Sequence, residues 1–139
     1  MIVFIVVVAL VFVLVIAVGV GIARDPGPPP AEVALGYEIA WDRLDFDTLW
    51  SLSTRELRDG RPRKEFVAAK RDAYAAHPDL RRLTRNVAVQ EVAAGPHVAV
   101  VVTQVELHDG SVLHDELKLV RRGGRWQVLT YGLRAAQHP

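Results

Sequence analysis

The sequence predicts an α+β domain that follows a single transmembrane helix, and three observations lead to this prediction. Residues 1–23 carry no charged or polar side chain. From residue 31 to about residue 76, apolar residues recur with the period of an α-helix. From Leu83 onwards the period changes to two, valine becomes frequent, and glycine-containing turns divide the chain into four segments, as in a sheet of antiparallel strands.

Composition excludes several classes of protein. The 139 residues are 50% hydrophobic and 24% charged, with a formal net charge of +1 and no cysteine. The lack of cysteine excludes a disulfide scaffold, a cysteine zinc site and a thiol nucleophile. Valine, leucine and aromatic residues are frequent enough after the first segment to form a core, which excludes a disordered chain. One hydrophobic segment and one domain of ordinary size account for the sequence.

Residues 1–23 are predicted to be a transmembrane anchor. As a helix, residues 2–23 would extend about 33 Å, compared with about 30 Å for the hydrocarbon core of a bilayer. A cleaved signal peptide is the alternative, since residues 21–23 could form a cleavage site, but no basic residue precedes the segment and its core is too long. We therefore expect a single-pass protein of the cell membrane that binds the bilayer through residues 2–23.

The side of the membrane that the domain occupies depends on one residue. Arg24 is the charged side chain next to the span, and the positive-inside rule then favours a cytoplasmic domain. Residues 24–30 form a linker with four prolines, which favour an extended conformation that reaches at most about 19 Å. The domain of residues 31–139 is therefore expected close to the lipid surface.

The first helix of the domain is predicted over residues 31–44. Its apolar residues form a single stripe, with Glu38, Asp42 and Arg43 off it. A stripe of this kind is typical of a helix that covers a core with one face. The stripe consists of Val33, Tyr37, Trp41 and Leu44.

A second, short helix is predicted to end at Leu52, with Asp45 or Asp47 as its N-cap. Ser53 and Glu56 have the spacing of a capping box, which predicts one further turn.

The third helix is predicted to begin at Pro62 and to end near residue 76, because Pro78 cannot continue it. Its predicted inward residues are Phe66, Ala69, Ala73 and Tyr74.

Four antiparallel strands are predicted over residues 84–93, 97–107, 112–121 and 125–133. The register of the middle hairpin follows from the separation of apolar and polar residues. A three-residue loop at residues 108–110 places Val101 opposite Leu117, whereas a two-residue loop would place it opposite Lys118. The first arrangement gives one apolar face, so we predict it. It also pairs Val105 with Leu113 and Ala99 with Leu119.

Two segments resemble a known superfamily. Residues 45–52 (DFDTLWSL) after a first helix, and residues 123–129 (GGRWQVL) opening a last strand, are similar to the cone-shaped superfamily of nuclear transport factor 2 and ketosteroid isomerase. The chain is also similar to small actinobacterial proteins in which such a domain follows one transmembrane helix. The resemblance covers roughly residues 31–135. It implies a cone of three helices packed on a curved four-stranded antiparallel sheet.

Enzymes of that superfamily work inside the cone, where an aspartate or histidine base and a tyrosine or carboxylic-acid donor face an apolar cavity. The tyrosine and aspartate spacing of the isomerases is not present here, so the resemblance transfers no catalytic residue. The predicted hairpin register does place Asp115 on the apolar face, where desolvation would raise its pKa. The alternative is that Asp115 has a structural role, in which it bonds the Thr103 hydroxyl opposite it or lies at the solvated mouth of the sheet. The candidate pocket residues are Trp41, Trp50, Tyr74, Asp115 and Trp126.

No cofactor, metal or nucleic acid is expected as a partner. The histidines do not have the convergent spacing of a metal site, and no phosphate-binding loop or nucleophile motif occurs. Residues 55–85 are basic, which indicates either a patch for anionic lipids or a solvated face. No aromatic residue interleaves these basic residues, so nucleic acid is a poor partner.

An apolar strip is predicted on the outer face of the sheet. If the last hairpin turns at residues 123–124 and pairs without interruption, Leu129, Tyr131 and Leu133 lie on the face opposite the helices. We therefore expect an interface there, for a homodimer or a membrane-protein partner.

The leading functional hypothesis is a membrane-anchored, non-catalytic interaction or scaffold domain that binds a protein partner, a lipid surface or itself. The alternative is a small-molecule enzyme or carrier, of the isomerase or dehydratase kind, that uses an apolar cavity in the cone. An open cavity of several hundred Å³ with a perturbed carboxyl inside it would favour the alternative.

Overall fold

The computed structural model describes residues 27–134, so the predicted transmembrane segment lies outside the described residues. Three α-helices come first: α1 (Pro30–Arg43), α2 (Phe46–Leu52) and α3 (Arg63–Tyr74). A short 3₁₀ turn follows at Pro78–Leu80. No helix within residues 27–134 has both the length and the apolar character needed to cross a bilayer.

Four strands form the second half of the domain: β1 (Thr84–Ala94), β2 (Val98–Leu107), β3 (Val112–Arg122) and β4 (Arg125–Leu133). They make one antiparallel sheet in the order β1-β2-β3-β4. The strand bounds lie within one residue of the predicted ones, whereas α3 ends about two residues earlier than predicted. The predicted α+β architecture, three helices on a four-stranded antiparallel sheet, is confirmed.

Local capping differs in part from the prediction. The N-cap of α2 is Asp45, whose carboxylate accepts hydrogen bonds from the Thr48 backbone N–H at 3.2 Å and the Thr48 hydroxyl at 2.6 Å. The predicted capping box is wrong, because the Ser53 hydroxyl donates back to the Leu49 carbonyl at 2.6 Å. Thr54 takes the capping role instead, since its Oγ1 accepts from the Leu57 N–H.

The core lies between the helices and the concave face of the sheet. Helix α1 supplies a wider buried arc than its predicted stripe, because it packs on the sheet and on α2 together. From α3, Phe66 is buried as predicted, whereas Val67 is buried in place of Ala73, which is exposed. The sheet contributes Ala99, Val101, Leu117, Leu119, Trp126 and Val128 to this core.

The register of the β2–β3 hairpin is as predicted. Val101 lies opposite Leu117, and the three-residue loop ends at Gly110, whose φ of 89° is readily adopted by glycine. Thr103 and Asp115 are therefore directly opposite one another on the concave face. Val105 pairs with Leu113 and Ala99 pairs with Leu119, also as predicted.

The β3–β4 pairing differs from the prediction by a β-bulge. Lys118 pairs with Thr130 but Leu119 pairs with Val128, so Leu129 has no partner in the ladder. Beyond this point a one-residue shift moves every side chain to the other face. Tyr131 consequently lies opposite Leu117, on the concave face.

The bulge removes the basis of the predicted outer strip. Leu133 lies opposite Asp115, and with Tyr131 it belongs to the face that the helices cover, not to the outer face. The predicted outward positions of Tyr131 and Leu133 are therefore wrong. The uninterrupted ladder on which that prediction depended does not form.

Candidate functional site

A cavity of about 410 Å³ opens between the C-terminal part of α1, the segment before β1, and strands β2, β3 and β4. Asp42 holds that segment in place, because its Oδ1 accepts from the Thr84 N–H at 2.9 Å and its carbonyl accepts from the Arg82 N–H at 2.7 Å. Most of the cavity wall is apolar. The apolar side chains are Leu80, Leu83, Val105, Leu107, Leu113 and Leu133.

Two carboxyls and a phenol meet in the wall of this cavity. The Tyr131 hydroxyl lies 3.2 Å from Oε2 of Glu38 and 3.2 Å from Oδ2 of Asp115. The Thr103 hydroxyl donates to Oε1 of Glu38 at 2.9 Å. Glu38 and Asp115 are each only 5% exposed and Thr103 is fully buried. We call Glu38, Asp115, Tyr131 and Thr103 the carboxyl–phenol cluster.

Each member of the cluster comes from a different element. Glu38 projects from α1, Thr103 from β2, Asp115 from β3 and Tyr131 from β4. The β2–β3 register places Thr103 beside Asp115, and the bulge in β4 turns Tyr131 inward towards them. The cluster therefore depends on the packing of the whole domain.

The cluster holds a proton at neutral pH. Burial raises the pKa of Glu38 to about 8, and the hydrogen bond and negative charge of Asp115 act in the same direction. Burial, followed by the two carboxylates, also raises the pKa of Tyr131, so its hydroxyl stays protonated. A phenol has one proton and can donate to one carboxyl at a time. A protonated Glu38 supplies a second proton and leaves the carboxyl pair with a single negative charge.

Two of the five candidate pocket residues, Trp41 and Asp115, line the cavity. Tyr74 packs behind Trp41, with 5.8 Å between the ring centroids. Trp126 is buried in the core, and the Trp50 indole donates to the Arg61 carbonyl at 2.9 Å, away from the cavity.

Asp115 does not bond the Thr103 hydroxyl, although the two residues are opposite one another. That hydroxyl donates to Glu38. Sequence reasoning missed Glu38 because the residue lies off the apolar stripe of the first helix. One signal was available: Thr103 and Asp115 occupy neighbouring core positions, and buried polar groups need partners. A polar residue on the helix that covers this face of the sheet could have been expected to supply such a partner.

Trp41, which lines the cavity, also carries a polar group, the N–H of its indole ring. It is buried and has no hydrogen-bond partner within residues 27–134. It lies close enough to the Tyr37 hydroxyl to lower the pKa of that group, against the larger rise caused by burial, but the two do not reach hydrogen-bond geometry.

A second, larger groove of about 510 Å³ lies on the surface between α2 and α3. Its charged groups are exposed, and Asp47 already pairs with Arg63 at 3.3 Å and with Arg71 at 3.9 Å. Exposed pairs of this kind contribute little energy. The cavity in the cone, where polar groups are buried, is therefore the better candidate for a specific site. Within residues 27–134 no group of three or more acidic or histidine side chains could hold a metal ion.

No protein-family model matches the sequence, and no curated protein matches it. Solved structures do share its fold. A Campylobacter jejuni protein provisionally described as a nuclear transport factor 2-like transpeptidase aligns with a TM-score of 0.57 and 15% identity, over 74% of this chain and 99% of that chain. A SEC-C motif protein from Rhodopseudomonas palustris aligns with a TM-score of 0.52 and 17% identity, over 74% and 77% of the two chains.

A nuclear transport factor 2-like protein of unknown function from Silicibacter pomeroyi aligns with a TM-score of 0.49 and 20% identity, over 74% of this chain and 91% of that chain. The two matches with TM-scores of 0.57 and 0.52 show the fold alone, because one fold supports many functions. The described part of the chain has a nuclear transport factor 2-like fold, as the resemblance implied.

Proposed function

We propose that this domain binds a small, largely apolar molecule in the cavity of the cone and recognises its polar group through the carboxyl–phenol cluster. The single observation that carries the proposal is the convergence of Glu38, Asp115 and Tyr131 at an apolar cavity of about 410 Å³. Small-molecule sites typically have volumes of about 300–1,000 Å³, apolar walls and a few convergent polar groups.

Energetics support a binding role for the cluster. Burying two carboxyls is expensive, and apolar side chains of similar size are often neutral or stabilising replacements for buried ionic groups. A domain that needed only a core has no use for Glu38 and Asp115 at these positions. The hypothesis of a non-catalytic interaction domain does not account for these two buried carboxyls. The outer apolar strip that supported its interface does not form as predicted.

Proton transfer is a second candidate function, and the raised pKa of the Glu38 carboxyl supports it. A carboxylic acid with a pKa of about 8 is protonated at neutral pH and can serve as a general acid. An isomerase or dehydratase acting on an apolar substrate would use such a group. Turnover of a bound molecule, abolished by Glu38→Gln with binding retained, would distinguish this function from binding alone.

The proposed binding can be tested by protection of an introduced thiol, because the chain has no cysteine. Leu113→Cys places a thiol in the cavity wall, and Val112→Cys places one on the opposite face of the same strand; the parent residues are 38% and 47% exposed. The probes are 2-phenylethanol, 2-phenylethylamine and phenylacetate, which share a ring and differ in their polar group. We expect at least one probe to slow alkylation of the cavity thiol of the full-length protein by about tenfold at saturation.

None of the probes should slow alkylation of the control thiol. Equal rates with and without every probe at position 113, or the same response at both positions, would overturn the binding proposal.

We also propose that residues 2–23 hold this domain at a membrane, with residues 24–30 as a short spacer. The support is the length and apolar character of the segment, about 33 Å as a helix. Washing membranes with high salt or carbonate should leave the protein in the pellet. Recovery in the soluble fraction, with a new N-terminus near Arg24, would show that the segment is cleaved.

A further inference from the structure

We propose that the ligand of the cone cavity is an apolar molecule with a protonated amino group, which lies against Glu38 and Asp115. The proposal rests on the proposed binding function and names the chemical class of the ligand. It is carried by three features of the cavity: its hydrogen-bonding balance, its charge and its aromatic faces.

The hydrogen-bonding balance of the cluster favours a donor. The protons available are those of the Thr103 hydroxyl, which donates to Glu38, the Tyr131 hydroxyl, which lies 3.2 Å from one oxygen of each carboxyl, and the Glu38 carboxyl itself. Two carboxyl groups have more acceptor positions than three protons can occupy. A ligand that brings N–H groups would fill the remaining positions, whereas a ligand with only acceptors would leave them empty.

The charge of the cavity favours a cation. Its charged lining residues are Glu38, Asp42 and Asp115, and no lysine, arginine or histidine of the described chain is among the lining residues. The carboxyl pair keeps a negative charge when Glu38 is protonated. An ammonium group is attracted to this end of the cavity, and a carboxylate or phosphate is repelled from it.

Aromatic rings flank the same space. Trp41 and Tyr131 both line the cavity, and the Tyr37 ring packs edge-on against Tyr131 with 5.1 Å between centroids. A cation that reaches the face of either ring would be attracted to it, as the Lys70 ammonium is over the Trp41 ring at 5.6 Å from the centroid. The leucine and valine side chains of the remaining wall suit an apolar body attached to the amine.

Binding of an ammonium group has a consequence for protons. The titratable groups that act on Glu38 are Asp115 from β3, which raises its pKa, and Tyr131 from β4, which lowers it. Glu38 in turn raises the pKa of Tyr37, which lies on the same helix. A cation beside Glu38 stabilises its ionised form, so binding of the amine below a pH of about 8 is coupled to partial loss of the Glu38 proton. Affinity for the amine should therefore rise between pH 6 and pH 8 and then level off, while the amine itself stays protonated.

The test compares the three probes in the full-length Leu113→Cys protein. The measured quantity is the concentration that halves the alkylation rate, expressed relative to the rate without probe at each pH. We expect 2-phenylethylamine to protect at a concentration about tenfold lower than 2-phenylethanol does, and phenylacetate to protect least. The half-protecting concentration of 2-phenylethylamine should fall by about tenfold from pH 6 to pH 8, whereas that of 2-phenylethanol should not fall.

A matched pair of variants separates the cluster from general effects of charge. Glu38→Gln should remove the pH dependence for the amine, and Glu116→Gln, on the outer face of β3, should keep it. If the alcohol or the acid protects as well as the amine, or if the half-protecting concentration of the amine does not change with pH, the amine proposal is wrong and the binding function stands. If no probe protects, both proposals fail.

Discussion

Replacing Glu38 with glutamine will stabilise the folded protein at pH 8 and remove most of the pH dependence of its stability between pH 4.5 and pH 8. The pKa of this carboxyl is raised from 4.5 to about 8 by burial and by Asp115. Between these two values the folded state binds more protons than the unfolded state, so the free energy of unfolding falls as pH rises. The loss is at most about 1.4 kcal/mol per pH unit, or about 5 kcal/mol over the window.

Glutamine keeps the shape of the side chain and has no proton to lose. Its amide can still accept from Thr103 and can donate to Asp115. Urea unfolding of the full-length protein at several pH values, followed by tryptophan fluorescence, measures the effect. Glu116→Gln on the outer face is the control and should keep the parental slope. A parent whose stability does not fall between pH 5 and pH 8 would contradict the prediction.

A second carboxyl with a strongly shifted pKa, Glu56, acts in a different pH range. The hydrogen bonds of Arg122 to Glu56, at 2.7 Å, lower the pKa of Glu56 to about 2. Its contribution is present above pH 4.5 and is lost as pH falls towards 2. The window from pH 4.5 to pH 8 therefore reports on Glu38 without interference from Glu56.

Tyr131→Glu will destabilise the domain by about 3 kcal/mol, because it places a third carboxyl beside Glu38 and Asp115, and no lysine, arginine or histidine of the described residues lines this cavity to pair with it. It also removes the ring that packs against Tyr37. The matched control is Thr130→Glu. Thr130 is exposed and lies opposite Lys118, so that substitution should change stability by about 0.5 kcal/mol or less.

The same pair of variants tests the bulge at Leu129. An uninterrupted β3–β4 ladder would put residue 131 on the outer face. A glutamate there would leave the stability of the domain unchanged and would affect only its association with a partner. Equal urea midpoints for Tyr131→Glu and the parent would therefore contradict the inward position of Tyr131. Tyr131→Phe keeps the ring and removes only the hydroxyl from the cluster, so its urea midpoint should lie between those of the parent and Tyr131→Glu.

Much of the fold follows from local patterns in the sequence. The change of apolar period near Leu83 separates helices from strands, and the strand ends agree with the structure within one residue. The β2–β3 register was predictable because a short loop and a one-sided apolar pattern allow one good pairing. Asp115 could accordingly be placed on the concave face. The prediction of a transmembrane segment rests on local hydrophobicity alone, and its residues lie outside those described.

The composition of the site was decided by tertiary structure. An apolar stripe shows which face of a helix is the most hydrophobic. It does not show how much of the helix surface a concave sheet and a second helix will bury. Helix α1 is covered widely enough to bury Glu38. A β-bulge leaves no such pattern in the sequence. One unpaired residue such as Leu129 changes no local pattern, yet it moves the side chains of all later residues in the strand to the other face. The bond between Glu38 and Tyr131 joins residues 93 positions apart, so neither local sequence determines it, and only the packed sheet and helix bring the two together.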